Sequence, residues 1–233
     1  MKNLKSICKY FSMGELILWA LSVITITVSF LLFDRENYLT LVASLIGVTS
    51  LIFNAKGNPF GQLLMVVFSI LYGMISYSFS YYGEMITYMG MTGPMAFFAL
   101  VTWLRNPYKG KKSQVKVNTI SRGEVVFTML LTAVVTALFY FILEYFNTAN
   151  LFFSTVSVTT SFAAVYLTFR RSPYFALIYA LNDIVLIILW VYTSLSDITY
   201  LSVVICFLMF LINDIYGFLS WIKMEKKQKG TAL

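Results

Sequence analysis

The chain contains no histidine, two cysteines and four prolines in 233 residues. The first absence removes the commonest general base and metal ligand, and with them any HExxH zinc site. Cys8 and Cys206 are too few for a thiolate cluster. One precedes the first apolar run and the other lies inside the last, so no disulfide is expected. Charge is scarce too: 12% of the residues are charged, against about 25% in a soluble domain. In its place the chain carries 59% hydrophobic and 18% aromatic residues, with a mean hydropathy of +0.79. This balance excludes disorder, a disulfide scaffold and a soluble enzyme, and it implies a bilayer as solvent. No metal or cofactor is called for.

A membrane-crossing helix needs about 20 mostly apolar residues. Eight runs meet that need: Glu15–Phe33, Tyr38–Phe53, Phe60–Phe79, Met85–Leu104, Glu124–Phe146, Leu151–Phe169, Tyr174–Tyr192 and Ile198–Trp221. The first follows a basic start, as a signal peptide does. Its apolar core is too long, and it ends Leu-Leu-Phe-Asp-Arg-Glu with no small-residue cleavage site, so it is expected to stay as a helix. Alternating the connections between the two sides puts 16 of the 17 Lys and Arg residues on one face, leaving Arg35 alone on the other. Cytoplasmic loops carry the Lys/Arg excess, so both termini are expected in the cytoplasm. The basic run Lys109-Gly110-Lys111-Lys112 reads as a topology signal, or alternatively as an anionic-lipid patch. The net charge of +7 therefore needs no nucleic-acid partner. Aromatic residues near the span ends (Tyr38, Tyr81, Tyr82, Trp103, Tyr192, Tyr200, Trp221) read mostly as interfacial belts.

A shift of 114 residues lays Lys56-Gly57-Asn58-Pro59-Phe60 on Arg170-Arg171-Ser172-Pro173-Tyr174. Both segments run basic, small or basic, polar, Pro, aromatic. Pro suits the first turn of a helix, where its missing N–H costs nothing. Glu84 and Asp197 both sit in a short turn on the opposite face, and Trp103 and Trp221 both close a third span. Spans two to four thus match spans six to eight, with span five as linker and span one outside the pattern. The expected architecture is an all-α integral membrane protein of eight transmembrane helices, 1 + (3+1+3), with two parallel three-helix repeats. Its segments are 1–37 (tail and extra first helix), 38–104 (first repeat), 105–146 (basic loop and linker helix), 147–222 (second repeat) and 223–233 (basic tail). Parallel repeats of this kind occur in transporters, with substrate sites near the midplane at the repeat interface.

Two Asn-Asp pairs lie inside spans, Asn182-Asp183 in the seventh and Asn213-Asp214 in the eighth. A charge at mid-membrane costs about 2.5–3.5 kcal/mol on insertion scales and marks a cavity or a partner. No Lys or Arg lies inside any span to pair with these carboxyls. Each is therefore protonated, hydrogen-bonded to a neighbouring helix, or turned toward water and ligand. Helical spacing puts Asp183 and Trp190 on one face, and Asn213 and Tyr216 on another. Gly93-Pro94 falls at mid-depth in span four, where a broken helix lining a cavity would be tolerated. Thr159, Thr160 and Ser161 lie at similar depth and can bond to their own backbone. Gln62, at a span end, reads as a gate or as a solvated terminus. Together Asn182, Asp183, Trp190, Asn213, Asp214 and Tyr216 are the candidate substrate-binding residues. Gln62, Gly93, Pro94 and Thr159 are candidates for a cavity or gate. The ligand they suit is flat and polar, with room for positive charge.

These residues resemble a known family. Phe60-Gly61, Tyr82-Gly83-Glu84 and Trp103 are similar to the first repeat of the PnuC transporters of bacteria. Asn182 with Trp190, and Asn213-Asp214-Ile215-Tyr216-Gly217-Phe218 with Trp221, resemble the second. The resemblance covers spans two to eight. It implies a SWEET-like fold, a homotrimer in the bacterial inner membrane, and facilitated diffusion of nicotinamide riboside, an NAD precursor, with trapping by a cytoplasmic kinase. One departure stands out. Where nicotinamide riboside carriers have Trp-x-x-Trp before the Asn of span seven, this chain has Phe175-Ala176-Leu177-Ile178. Thiamine, riboflavin or a deoxynucleoside therefore stays open as substrate.

Rival classes fit less well. An intramembrane aspartyl protease needs Gly-x-Gly-Asp, whereas Asp214 follows Leu211-Ile212-Asn213. An ATP-driven pump needs a P-loop, which is missing from the sequence. A scaffold with packing aspartates remains. The charge asymmetry gives a direct test of topology: a single cysteine replacing Ala149 is expected to react with an impermeant reagent applied from outside, and one replacing Ser113 is not. Labelling in the reverse pattern would overturn the orientation.

Overall fold

The computed structural model describes residues 10–78, 82–148 and 150–230. Cys8, Lys2, Lys5, Lys9 and Tyr81 lie outside the described residues. Among the described residues, eight helices are long and apolar enough to cross a membrane. They are α1 (Met13–Phe33), α2 (Tyr38–Ala55), α3 (Pro59–Ser78), α4 (Tyr82–Arg105), α5 (Arg122–Tyr145), α6 (Leu151–Phe169), α7 (Phe175–Ser194) and α8 (Leu201–Gly230). At about 1.5 Å per residue, 18 or more residues nearly match a hydrocarbon core of about 30 Å. The α8 helix runs on beyond Trp221 to Gly230, so residues expected as a basic tail are helical. Lys227 and Lys229 sit in its last turn, where cations complement the helix dipole.

Six helices close a ring. Successive members α2, α3 and α4 pack together, as do α6, α7 and α8; the ring closes where α4 meets α6 and α8 meets α2. The remaining two helices cover these seams. Helix α1 lies on α8 and α2, whereas α5 lies on α6 and the first turn of α4. Their outer faces, such as Ile17, Leu21 and Ile24 on α1 and Met129, Leu130 and Val134 on α5, are exposed apolar surface suited to lipid.

The two covering helices are built alike. Ser12 caps α1, accepting from the Glu15 N–H, and Ser121 caps α5 in the same way toward Glu124. Each glutamate then meets a cation at the end of a ring helix: Glu15 pairs with Lys56 at 3.0 Å, and Glu124 pairs with Arg170. Lys56 and Arg170 are 114 residues apart, the same offset as the two Pro turns. Span one, which showed no partner in the sequence, thus has a structural counterpart in the linker helix.

The same offset governs how α2 and α6 end. Gly57 and Arg171 both take the left-handed conformation, with φ 66° and 58°. The N–H groups of Asn58 and Ser172 reach back to Phe53 O and Leu167 O, and those of Gly57 and Arg171 to Asn54 O and Thr168 O. These are Schellman ends. Each of the last two carbonyls accepts a second bond from the opposite half: Trp103 Nε1 donates to Thr168 O at 2.9 Å, and Trp221 Nε1 donates to Asn54 O at 2.7 Å. The two indoles are fully buried, with ring centroids 5.3 Å apart. They are therefore the closure of the basic end of the ring. The expectation of interfacial belts fails for these two, because their polar edges are consumed inside the protein. Tyr38 and Tyr192 are exposed and fit it.

A strap crosses this closed end. Residues Pro107–Tyr108 (β1) and Lys111–Val115 (β2) form a hairpin turning at Lys109-Gly110, both with positive φ as a two-residue type I′ loop needs. The basic run is thus a hairpin turn. Beyond it, Val115 N–H donates to Gly57 O at 2.8 Å and Asn118 N–H to Arg171 O at 3.0 Å, so the strap joins the two left-handed positions. Gln228 of α8 fixes its middle, accepting from Val117 N–H and donating to Val115 O. The equivalence of the two seams makes a prediction. Trp103→Phe and Trp221→Phe keep a ring but remove the donor, and each is expected to cost about 1 kcal/mol, read as matched losses in thermal unfolding in detergent. A large loss for one and none for the other would show that the seams are not equivalent.

Candidate functional site

The ring encloses a cavity, lined from both halves. Its floor toward the basic end is made by Phe175, Asn54 and Gln62. Gln62 Nε2 donates to Asn54 Oδ1 at 2.8 Å and is only 3% exposed, so the reading as a solvated helix end fails. Gly61 is required here: a Cβ would lie 2.2 Å from Asn54 Oδ1, which accepts that bond. Below the floor, Trp221 meets Phe175 edge to face at 4.9 Å. The basic end is shut by two layers, one polar and one aromatic.

Asn182 provides the main polar group of the wall. The hydroxyls of Ser157, Thr160 and Ser161 on α6 converge on its Oδ1 at 3.2, 2.8 and 3.2 Å. Its amide oxygen is thus committed to protein, while Nδ2 makes no hydrogen bond among the described residues and the residue lines the cavity. Sequence reading gave Thr160 and Ser161 only backbone roles; the spacing of hydroxyls on α6 against an Asn on α7 was the available signal. Thr159 points the other way, accepting from Thr136 of α5 at 2.9 Å and donating to Thr155 O, so it packs the covering helix.

The two aspartates meet. Asp183 and Asp214 are close neighbours inside the ring, and Asp214 lines the cavity while Asp183 does not. Two carboxyls this close repel each other when both are charged, so the pair favours one negative charge over two. Asp183 Oδ2 has no hydrogen-bond partner among the described residues.

Two candidate ligand residues face elsewhere. Asn213 is buried against α1, its Nδ2 donating to Ser22 Oγ at 2.9 Å and Met209 O at 2.8 Å. Tyr216 donates to Glu15 Oε1 at 2.9 Å, joining the ion pair with Lys56. Both fasten the covering helix. The shared face was read correctly, but it is the face toward α1. Gly93-Pro94 does not break its helix. Residues Thr87–Thr92 widen into a π-helical turn, and the Gly93 N–H reaches Tyr88 O, five residues back. Pro94 is exposed on the outer surface, and neither it nor Gly93 lines the cavity; Thr92 does. Trp190 lines the cavity at the end opposite the floor, together with Tyr72, Glu84 and Tyr88, which the sequence gave no reason to group.

A family described as "Nicotinamide mononucleotide transporter" matches residues 37–223. The chain belongs to that family. It is 25% identical over 216 residues to the nicotinamide riboside transporter PnuC of Neisseria mucosa, covering 91% of this chain and 82% of the relative. A solved structure described as that of the vitamin B3 transporter PnuC shares the fold, with a TM-score of 0.80 at 23% identity over 94% of each chain. As a member of the nicotinamide mononucleotide transporter family, the chain is a multi-pass membrane transporter. The family resemblance and the eight-helix fold read from the sequence are both met.

The two asparagines can be told apart by stability. Asn182→Leu releases hydroxyls that can turn to helix carbonyls, as Thr160 Oγ1 lies 3.0 Å from Val156 O, so its melting temperature is expected to stay close to wild type. Asn213→Ala strips Ser22 of its partner on α8 and is expected to cost about 1–2 kcal/mol. Thermal unfolding of both variants, side by side, checks this; equal losses would mean that Asn182 is a packing residue as well.

Proposed function

We propose that the chain carries nicotinamide riboside, or a closely related aromatic vitamin, by facilitated diffusion through the cavity between its two halves, with no catalysis of its own. Residues 38–104 and 147–222 are the two parallel repeats that move against each other, each covered by one further helix. We place the protein in a bacterial inner membrane with both termini cytoplasmic, as the charge asymmetry indicates, and in a homotrimer, as the family resemblance implies. The closed basic end then faces the cytoplasm and the cavity awaits substrate from outside.

The observation that carries the reading is the cavity wall. One side presents the Asn182 amide on its hydroxyl cradle and the Asp214 carboxyl; the other presents the rings of Phe68, Tyr72 and Tyr88. A riboside needs hydrogen-bond donors and acceptors, and a pyridinium ring needs aromatic faces and a negative charge. The names of the relatives point the same way. Phe175 and Ile178 in place of two tryptophans favour a second reading, in which another aromatic cation such as thiamine is carried.

Purified protein in liposomes, offered radiolabelled nicotinamide riboside, thiamine, riboflavin and thymidine singly, tests the proposal. Nicotinamide riboside is expected to equilibrate across the membrane and stop there. Accumulation driven by an imposed ion gradient would contradict facilitated diffusion, and transport of none of the four would leave the scaffold reading. Asp214→Asn removes the carboxyl that lines the cavity. It is expected to weaken cation uptake by about tenfold or more while a neutral nucleoside loses much less. Equal losses for both would make the pair a helix-packing contact.

A further inference from the structure

A second cavity lies on the acidic side of the molecule. It is lined by the α1–α2 turn (Asp34, Arg35, Glu36), by Asp197 and Tyr200 before α8, and by Tyr72, Glu84 and Trp190. The last three also line the inner cavity. They form the neck between the two spaces, one from α3, one from α4 and one from α7. Anything passing from the acidic side to Asn182 goes past them.

The carboxyl groups around this vestibule are not equivalent. Asp34 Oδ1 accepts from the backbone and side chain of Asn37, and Asp197 Oδ1 accepts from the N–H and hydroxyl of Thr199. Both shape turns. Glu36 stands exposed at the rim. Glu84 alone sits in the neck, and among the described residues it accepts no hydrogen bond and pairs with no cation. The rings beside it are held in pairs: Tyr72 lies 4.9 Å from Tyr88, and Trp190 lies 5.4 Å from Tyr200. A partnerless carboxyl between braced aromatic faces has the chemistry of an organic-cation site.

We propose that Glu84, with Tyr72 and Trp190, is an outer selectivity site that receives aromatic cations from the acidic side before they reach Asn182. The site rests on the reading of the chain as a carrier of an aromatic cation, and it is separate from the Asp183–Asp214 pair deeper in the ring. A carboxylate at a neck with low-dielectric walls raises the local concentration of cations, so its effect falls on capture. Neutral aromatic molecules meet the same rings without the charge.

The test uses N-methylnicotinamide, a cation, and nicotinamide, its neutral counterpart, in equilibrium binding to the full-length protein in detergent, with uptake of nicotinamide riboside in liposomes measured in parallel. Glu84→Gln is expected to weaken N-methylnicotinamide binding by about tenfold and to leave nicotinamide unchanged, while Glu84→Asp keeps most of the cation preference. For uptake, the half-saturating concentration should rise with little change in the maximal rate. Equal binding of the cation by wild type and Glu84→Gln would overturn the proposal and leave the carrier reading intact. Absence of nicotinamide riboside uptake in wild type, with cation binding still lost in Glu84→Gln, would overturn the substrate reading and keep the site. Should Glu84→Gln fail to fold, a weakened cation preference in Trp190→Leu with a wild-type melting temperature supports the proposal, and an unaltered preference there overturns it.

Discussion

The last turn of a helix leaves carbonyl groups without intrahelical donors, and near a bilayer there is little water to satisfy them. Here the left-handed turns supply one donor to each such carbonyl, and the second donor comes from across the molecule. Asn54 O and Thr168 O each take an indole N–H from the helix that ends the opposite half. Neither half can close its own basic end, and each completes the other. The packed indoles, the strap that joins Gly57 to Arg171, and the floor of the cavity all build on this reciprocal pair. If the halves separate at this end during transport, these are the bonds that must open.

The covering helices solve a related problem. A ring closed by two seams between halves presents each seam to lipid, which offers no hydrophobic force to hold helices together. Polar contacts hold them instead. Glu15 takes Lys56 from α2 and Tyr216 from α8, so it bridges both sides of one seam. Glu124 takes Arg170 at the other. Lys56 also lies over the Tyr10 and Phe11 rings at 5.1 and 5.6 Å, which shields the ion pair further.

Spans, topology and family were legible because each leaves a long or repeated trace: about 20 apolar residues, a one-sided count of cations, a Pro turn at a fixed offset. What the sequence hid was direction. Trp103 and Trp221 at span ends look the same whether the indole meets headgroups or a partner helix. Asn213 and Tyr216 share a face, but only the position of α1 decides that this face is not the cavity. The likeness of α1 to α5 was masked because Ser12 and Ser121 stand 109 residues apart while the Pro turns stand 114 apart. A polar residue inside a span announced that something faced it; Asp183 announced Asp214, and Asn182 announced three hydroxyls, without saying which.

The division of labour within the cavity follows from the same offset. Asn182 on α7 corresponds to Phe68 on α3, and its cradle of Ser157, Thr160 and Ser161 corresponds to Ala43, Ile46 and Gly47 on α2. The contact itself is kept: Ser161 touches Asn182, and a Cβ on Gly47 would stand 3.0 Å from the Phe68 ring. One half therefore fills the position with an amide held by hydroxyls, and the other fills it with a ring that needs the space a glycine leaves. A buried amide oxygen needs hydroxyl donors to offset its desolvation, whereas the aromatic version needs none. A frame of equivalent halves thus supplies two unlike walls, one that reads hydrogen bonds and one that reads a flat ring. On the reading proposed above, a riboside sets its sugar against the first wall and its base against the second.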